Sequence, residues 1–232
     1  MIQLVYSPKW FYGKDIIIDL ISVFALLLIA FFSAKYYSLK KNKNHLLLAI
    51  SFVLMGLSFL FKAITNFTIY SNMLQTKQLG LIMLTYTTLK SSNLLFFIGF
   101  LMYRVLMLLG LYLLYSIYHK QDKANLILII YLIMISTYFS RSAYYIFHMT
   151  ALILLYIITS EYLKNFKRNK LPTNKWLASS FALITISQAI FIFIKIHTLL
   201  YVIAELVQLM GYAGLLITFI KVLKDGKKKG KK

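Results

Sequence analysis

The chain of 232 residues contains no cysteine, which excludes disulfides and thiolate-based zinc or iron–sulfur sites. Lipid attachment through a cysteine is excluded for the same reason. Acidic residues are also scarce: six Asp and Glu stand against 26 Lys and Arg. There are two prolines, Pro8 and Pro172, both outside the long apolar runs. Charged residues make up 14% of the chain and apolar residues 60%, with a mean hydropathy of +0.75. A soluble domain needs a charged surface, and here the charges are confined to short stretches between apolar runs. These absences leave an all-α polytopic membrane protein.

A helix needs about 20 apolar residues to cross the hydrocarbon. Seven such runs lie near residues 16–37, 46–69, 93–118, 124–140, 142–163, 176–195 and 198–220, the fourth being the shortest. They predict a single seven-helix domain over 1–220, followed by a polybasic cytoplasmic tail over 221–232. Most Lys and Arg fall in one set of loops, around Lys40–Lys43, Lys120–Lys123 and Lys164–Lys175, and in the tail. The positive-inside rule puts that set in the cytoplasm, with the N-terminus outside and the C-terminus inside a cell membrane. Trp10, Phe11 and Tyr12 before the first span and Trp176 at the start of the sixth fit interfacial aromatic belts. The one sizeable outer loop, about 71–92, contains an apolar segment from Leu79 to Leu84, too short to cross and expected to lie at the interface.

Spans one to three and five to seven share an orientation, which permits a tandem repeat. Leu48–Phe59 aligns with Leu177–Gln188. Upstream, Ala25–Leu28 aligns with Ala151–Leu154, in a register three residues different, which the loop containing Pro172 would absorb. Gly110-Leu111 is set against Gly214-Leu215. In plan the chain resembles seven-helix proteins of three-plus-one-plus-three design, a group that includes microbial rhodopsins, sugar-efflux and PQ-loop transporters, and seven-helix sensor modules. The resemblance implies the bundle and leaves the function open. Span seven lacks an interior Lys for a retinal Schiff base, no Pro-Gln pair occurs, and no histidine-kinase output domain is present.

Charge inside a span is costly and is a functional hypothesis in its own right. Asp19 in span one and Lys62 in span two lie at similar depth below the outer surface and form a predicted outer polar pair. Arg104, midway along span three, is expected to meet Glu205 of span seven. Tyr201, Glu205, Gln208 and Tyr212 recur at helical spacing on one face, as do Thr185, Gln188 and Lys195 on span six and Ser51, Ser58, Lys62 and Asn66 on span two. The candidate ligand or ion pocket is therefore Arg104, Glu205, Gln208, Gln188 and Tyr201. Asp15, Asp122, Glu161 and Asp225 fall at ends or in loops and are expected to be solvated.

His45, His119, His148 and His197 show no paired metal-ligand spacing, and neither a Gly-Xaa-Ser-Xaa-Gly elbow nor a Gly-rich phosphate loop occurs. No catalytic residue, metal or cofactor is predicted. The basic tail suits anionic headgroups of the bilayer, and without an aromatic platform it argues against nucleic acid. These features point to a receptor-like or sensor module that binds a small ligand between helices and signals to a membrane or cytoplasmic protein partner. The alternatives are a small-solute transporter and a non-catalytic assembly subunit. Proline-free spans favour the receptor, and the apparent repeat favours the transporter.

Overall fold

The computed structural model describes residues 7–78, 89–119, 122–140 and 142–229. Among them the regular structure is entirely helical. A 3-10 turn over Lys9–Phe11 precedes seven helices: α1 Lys14–Lys40, α2 Lys43–Gln78, α3 Leu89–Ser116, α4 Lys123–Phe139, α5 Tyr145–Asn169, α6 Pro172–Ile192 and α7 Leu199–Lys229.

The sequence sets most of the helix ends. Gly13, at φ 83, turns the chain into α1, a backbone conformation that costs glycine little. Asp122 caps α4 by accepting the Lys123 N–H at 2.8 Å. Pro172 opens α6, where its missing N–H is not needed. Helices α1 and α5 stop in the same way: Lys41 and Lys170 adopt left-handed φ of 51 and 50 and donate back to the Tyr37 and Phe166 carbonyls at 2.8 and 2.7 Å.

Six helices are long and apolar enough to cross a membrane, α1, α2, α3, α5, α6 and α7, consistent with a multi-pass membrane protein. Helix α4 has 17 residues and spans about 26 Å at 1.5 Å per residue, short of the hydrocarbon thickness of about 30 Å. Two helices outrun the expected spans: α2 extends to Gln78 and α7 to Lys229. The predicted interfacial segment Leu79–Leu84 lies outside the described residues.

Neighbours in sequence pack together within α1–α2–α3 and within α5–α6–α7. Contacts of α3 with α5 and of α7 with α1 close these six helices into a ring, while α4 packs more lightly against α3 and α5. Large apolar side chains such as Phe24, Phe31, Phe67, Ile127, Tyr156 and Ile217 face outward, as a lipid-facing surface requires. Two close crossings depend on glycine. A Cβ on Gly110 of α3 would lie 2.6 Å from Met55 Cγ and 2.9 Å from the Ser51 carbonyl of α2. One on Gly211 of α7 would lie 2.5 Å from Ile184 Cγ1 and 3.1 Å from the Ser180 carbonyl of α6.

Candidate functional site

Buried charge gathers at one end of the bundle, where α1, α3, α5 and α7 begin and α2, α4 and α6 finish. Lys62 is about one and a half turns from the end of the α2 span. Its ammonium donates to Asp19 Oδ1 of α1 at 2.7 Å and to Glu205 Oε1 of α7 at 2.6 Å. Both carboxylates are fully buried, and the ammonium also lies 5.4 Å from the Phe59 ring centre. Asp19 and Lys62 are thus together, but the pair is one arm of a three-helix bridge.

Glu205 therefore has Lys62 as its cationic partner. The expected Arg104–Glu205 ion pair is not formed among the described residues. The guanidinium of Arg104 donates to the Ser140 hydroxyl just beyond α4, and it lies 3.7 Å from the Phe100 ring centre and 5.3 Å from that of Phe147. Arg104 lies near the middle of the Phe96–Ser116 span, and its guanidinium reaches toward the end of α4 at Ser140. The aromatic faces supply cation–π attraction where a carboxylate was expected.

Asp15 is the second departure, because it is fully buried where solvation was expected. It accepts from Asn66 Nδ2 at 3.4 Å and from the Tyr201 hydroxyl at 3.3 Å. Its partner Tyr201 is in turn packed by Phe11. The 3-10 turn folds this ring over the bundle end against Tyr201, Ile18 and Val202. A residue counted near a helix end is an interior one.

Several buried polar atoms close to Lys62 make no well-formed hydrogen bond with any described group. They are Asp19 Oδ2, Glu205 Oε2, Ser58 Oγ, both amide atoms of Gln208 and the Tyr212 hydroxyl. Ser58 stands apart from Ser22 and Ser51, whose hydroxyls donate to the carbonyls four residues back, of Ile18 at 2.9 Å and Leu47 at 2.7 Å. Gln208 and Tyr212 follow Glu205 along one face of α7, and Tyr212 is within electrostatic reach of Lys62 and Glu205. Unsatisfied buried polar atoms are few in native proteins, and each calls for an explanation.

Gln188 pairs with His148, which is within electrostatic reach of Arg104 and Lys62. Its Oε1 is 2.8 Å from His148 Nδ1, and the His148 ring stacks on Phe191 at 4.9 Å. Gln188 and Gln208 share no hydrogen bond among the described residues. His197 lies exposed in the turn before α7, with Nδ1 accepting the Leu199 N–H at 3.2 Å, so it does not join His148. Among the described residues no group of three or more His, Asp or Glu is placed to hold a metal ion.

Away from this end the interior changes character. Leu26, Ile29, Phe52, Leu108, Leu111 and Leu215 fill it, all with at most 1% of their surface exposed. The opposite rim carries exposed charges such as the Lys164–Glu161 pair at 2.7 Å. Among the described residues the buried charges Asp15, Asp19, Arg104 and Glu205, with the partly buried Lys62, lie in one half of the molecule. No protein-family model matches the chain, and comparison with the curated proteins and with the solved structures finds no match.

Sequence reasoning missed Asp15, Ser58 as an unsatisfied group, and Ser140. The i, i+4 spacing of Asp15 with Asp19, matched by Lys62 with Asn66 on α2, was the available signal for the first.

Proposed function

We propose that the protein is a receptor-like membrane bundle that binds a small polar ligand in the half containing Asp19, Lys62, Glu205 and Gln208, and passes the resulting change in helix packing to a protein partner. In this reading α4 crosses the membrane with the other six helices, by tilt or local thinning of the bilayer. The Lys-rich rim is cytoplasmic and the polar half opens toward the outside. One observation carries the reading: among the described residues the buried carboxylates Asp15, Asp19 and Glu205 all lie toward one end, and the opposite half is filled mainly by apolar side chains. A one-ended polar interior suits binding and release on the same side.

Ligand-induced stabilisation tests it. Purified protein screened against small polar compounds should show a saturable rise in unfolding temperature. Glu205→Gln should lose that rise while still unfolding cooperatively. A ligand that stabilises wild type and Glu205→Gln equally would defeat the reading.

A carrier is the second reading, and repeated geometry favours it. Lys41 and Lys170, Tyr37 and Phe166, Ser51 and Ser180, and Met55 and Ile184 play matching parts in the two caps and the two glycine crossings, and each pair is separated by 129 residues. Buried Ile18, Asp19, Leu26, Ile29 and Ser33 correspond at the same separation to buried Phe147, His148, Leu155, Ile158 and Tyr162. This register is uniform through the Pro172 turn, without the three-residue step expected there. The close crossings at Gly110 and Gly211 would correspond in such a repeat. Arg104 and Glu205 then become equivalent positions in two halves, which accounts for their not being partners. Such halves could rock against each other.

A further inference from the structure

We propose that Asp19 and Glu205, with the oxygens of Ser58, Gln208 and Tyr212, form a site for one monovalent cation beside Lys62: a bare alkali ion or the ammonium head of a ligand. The inference rests on the ligand-binding reading and names part of what that site recognises.

Charge is the first argument. Each carboxylate gives one oxygen to Lys62, so one ammonium serves two anions. Asp19 Oδ2 and Glu205 Oε2 are left without a partner among the described residues, and both side chains are buried. Uncompensated charge in a membrane interior is costly, and one further positive charge brings this group to neutrality. Asp15, one turn before Asp19 on α1, adds to the negative potential there but has its own stabilising partners. It stands in the first turn of α1, where the helix N-terminus favours an anion, and it has Asn66 and Tyr201 as donors.

Donor chemistry is the second. Ser58, Gln208 and Tyr212 are 0%, 2% and 0% exposed, so bulk water does not serve their oxygens; Gln208 and Tyr212 approach each other, and no other described group satisfies them. Ser58 is one turn before Lys62 on α2, and Gln208 is one turn after Glu205 on α7. Tyr212, a turn further on, is within electrostatic reach of both Lys62 and Glu205. An all-oxygen donor set suits hard cations, and the same oxygens accept hydrogen bonds from an ammonium group. Two carboxylates already sharing a lysine leave room for one positive charge, which argues for a monovalent ion and against a divalent one.

The test is thermal unfolding of the purified full-length protein at fixed pH and ionic strength. Choline chloride is replaced stepwise by sodium, potassium or methylammonium chloride. The proposal expects a saturable rise in unfolding temperature. A response to sodium or potassium identifies an alkali ion, and a response to methylammonium alone identifies an ammonium head. Ser58→Ala and Tyr212→Phe keep the charges and should shift the half-saturating concentration upward by about tenfold. Asp19→Asn should abolish the response. If Asp19→Asn does not fold, the two neutral variants decide. Identical unfolding in all four salts would overturn the proposal, and so would a salt response that Ser58→Ala and Tyr212→Phe leave unchanged. The first result would assign neutralisation to a proton. A neutral ligand that still stabilises the protein in choline would then preserve the ligand-binding reading without the cation.

Discussion

Lys62 holds carboxylates from two different helices, so its removal strands both. Taking one partner from a buried ion pair costs about 3–5 kcal/mol. Lys62→Met should lower stability by that order, measured by denaturation of the purified protein. Adding Asp19→Asn and Glu205→Gln to Lys62→Met should recover part of the loss. A double-mutant cycle should also couple Lys62 to Glu205 by about 1–3 kcal/mol, and more strongly than it couples Arg104 to Glu205. A larger coupling for Arg104 would contradict the geometry. Helical spacing placed Glu205, Gln208 and Tyr212 on one face of α7, and depth placed Asp19 level with Lys62. Spacing does not say which neighbour a face meets. That depends on α7 closing against α1, which brings Glu205 to Lys62. Asp15 was misjudged because its donors, Asn66 and Tyr201, come from α2 and α7 and are not visible from its place near a helix end.

At the scale of the helices, hydropathy located all seven and placed their membrane-side ends well, because lipid permits little else than continuous apolar helix. It could not set how far α2 and α7 continue beyond the apolar segment. It also gave no sign that α4 would pack more lightly than the others, since the α4 sequence is as apolar as theirs. The two glycine crossings show how these elements approach so closely. Gly110→Ala and Gly211→Ala should each cost about 1–3 kcal/mol, because the added methyl meets a carbonyl of the neighbouring helix as well as a side chain. Gly13→Ala brings the new Cβ no neighbour within 4 Å, so its cost should come from the positive φ alone. Unfolding of the three variants in the same detergent checks the order. Equal tolerance at Gly110 and Gly13 would contradict the crossing.

Considered whole, the molecule has two unlike ends: a rim rich in lysine and an end whose interior holds the buried charge. The absence of native cysteine makes orientation directly measurable. Single cysteines at the exposed positions Lys9 and Lys195 should react with a membrane-impermeant reagent in intact cells, and those at Lys43, Lys123 and Lys170 should not. In sequence the longest match between the two three-helix segments is that of α2 with α6; in the structure α1 and α5 end in like left-handed caps, and α2–α3 and α6–α7 cross closely at Gly110 and Gly211. The central claim is that ligand enters and leaves from one side of the bundle. Reconstituted into liposomes and given a labelled compound that stabilises it, the protein is predicted to bind that compound saturably, at one per chain, with no accumulation in the lumen. Time-dependent uptake above that of protein-free liposomes, accelerated by unlabelled compound preloaded inside, would contradict this account and establish the carrier.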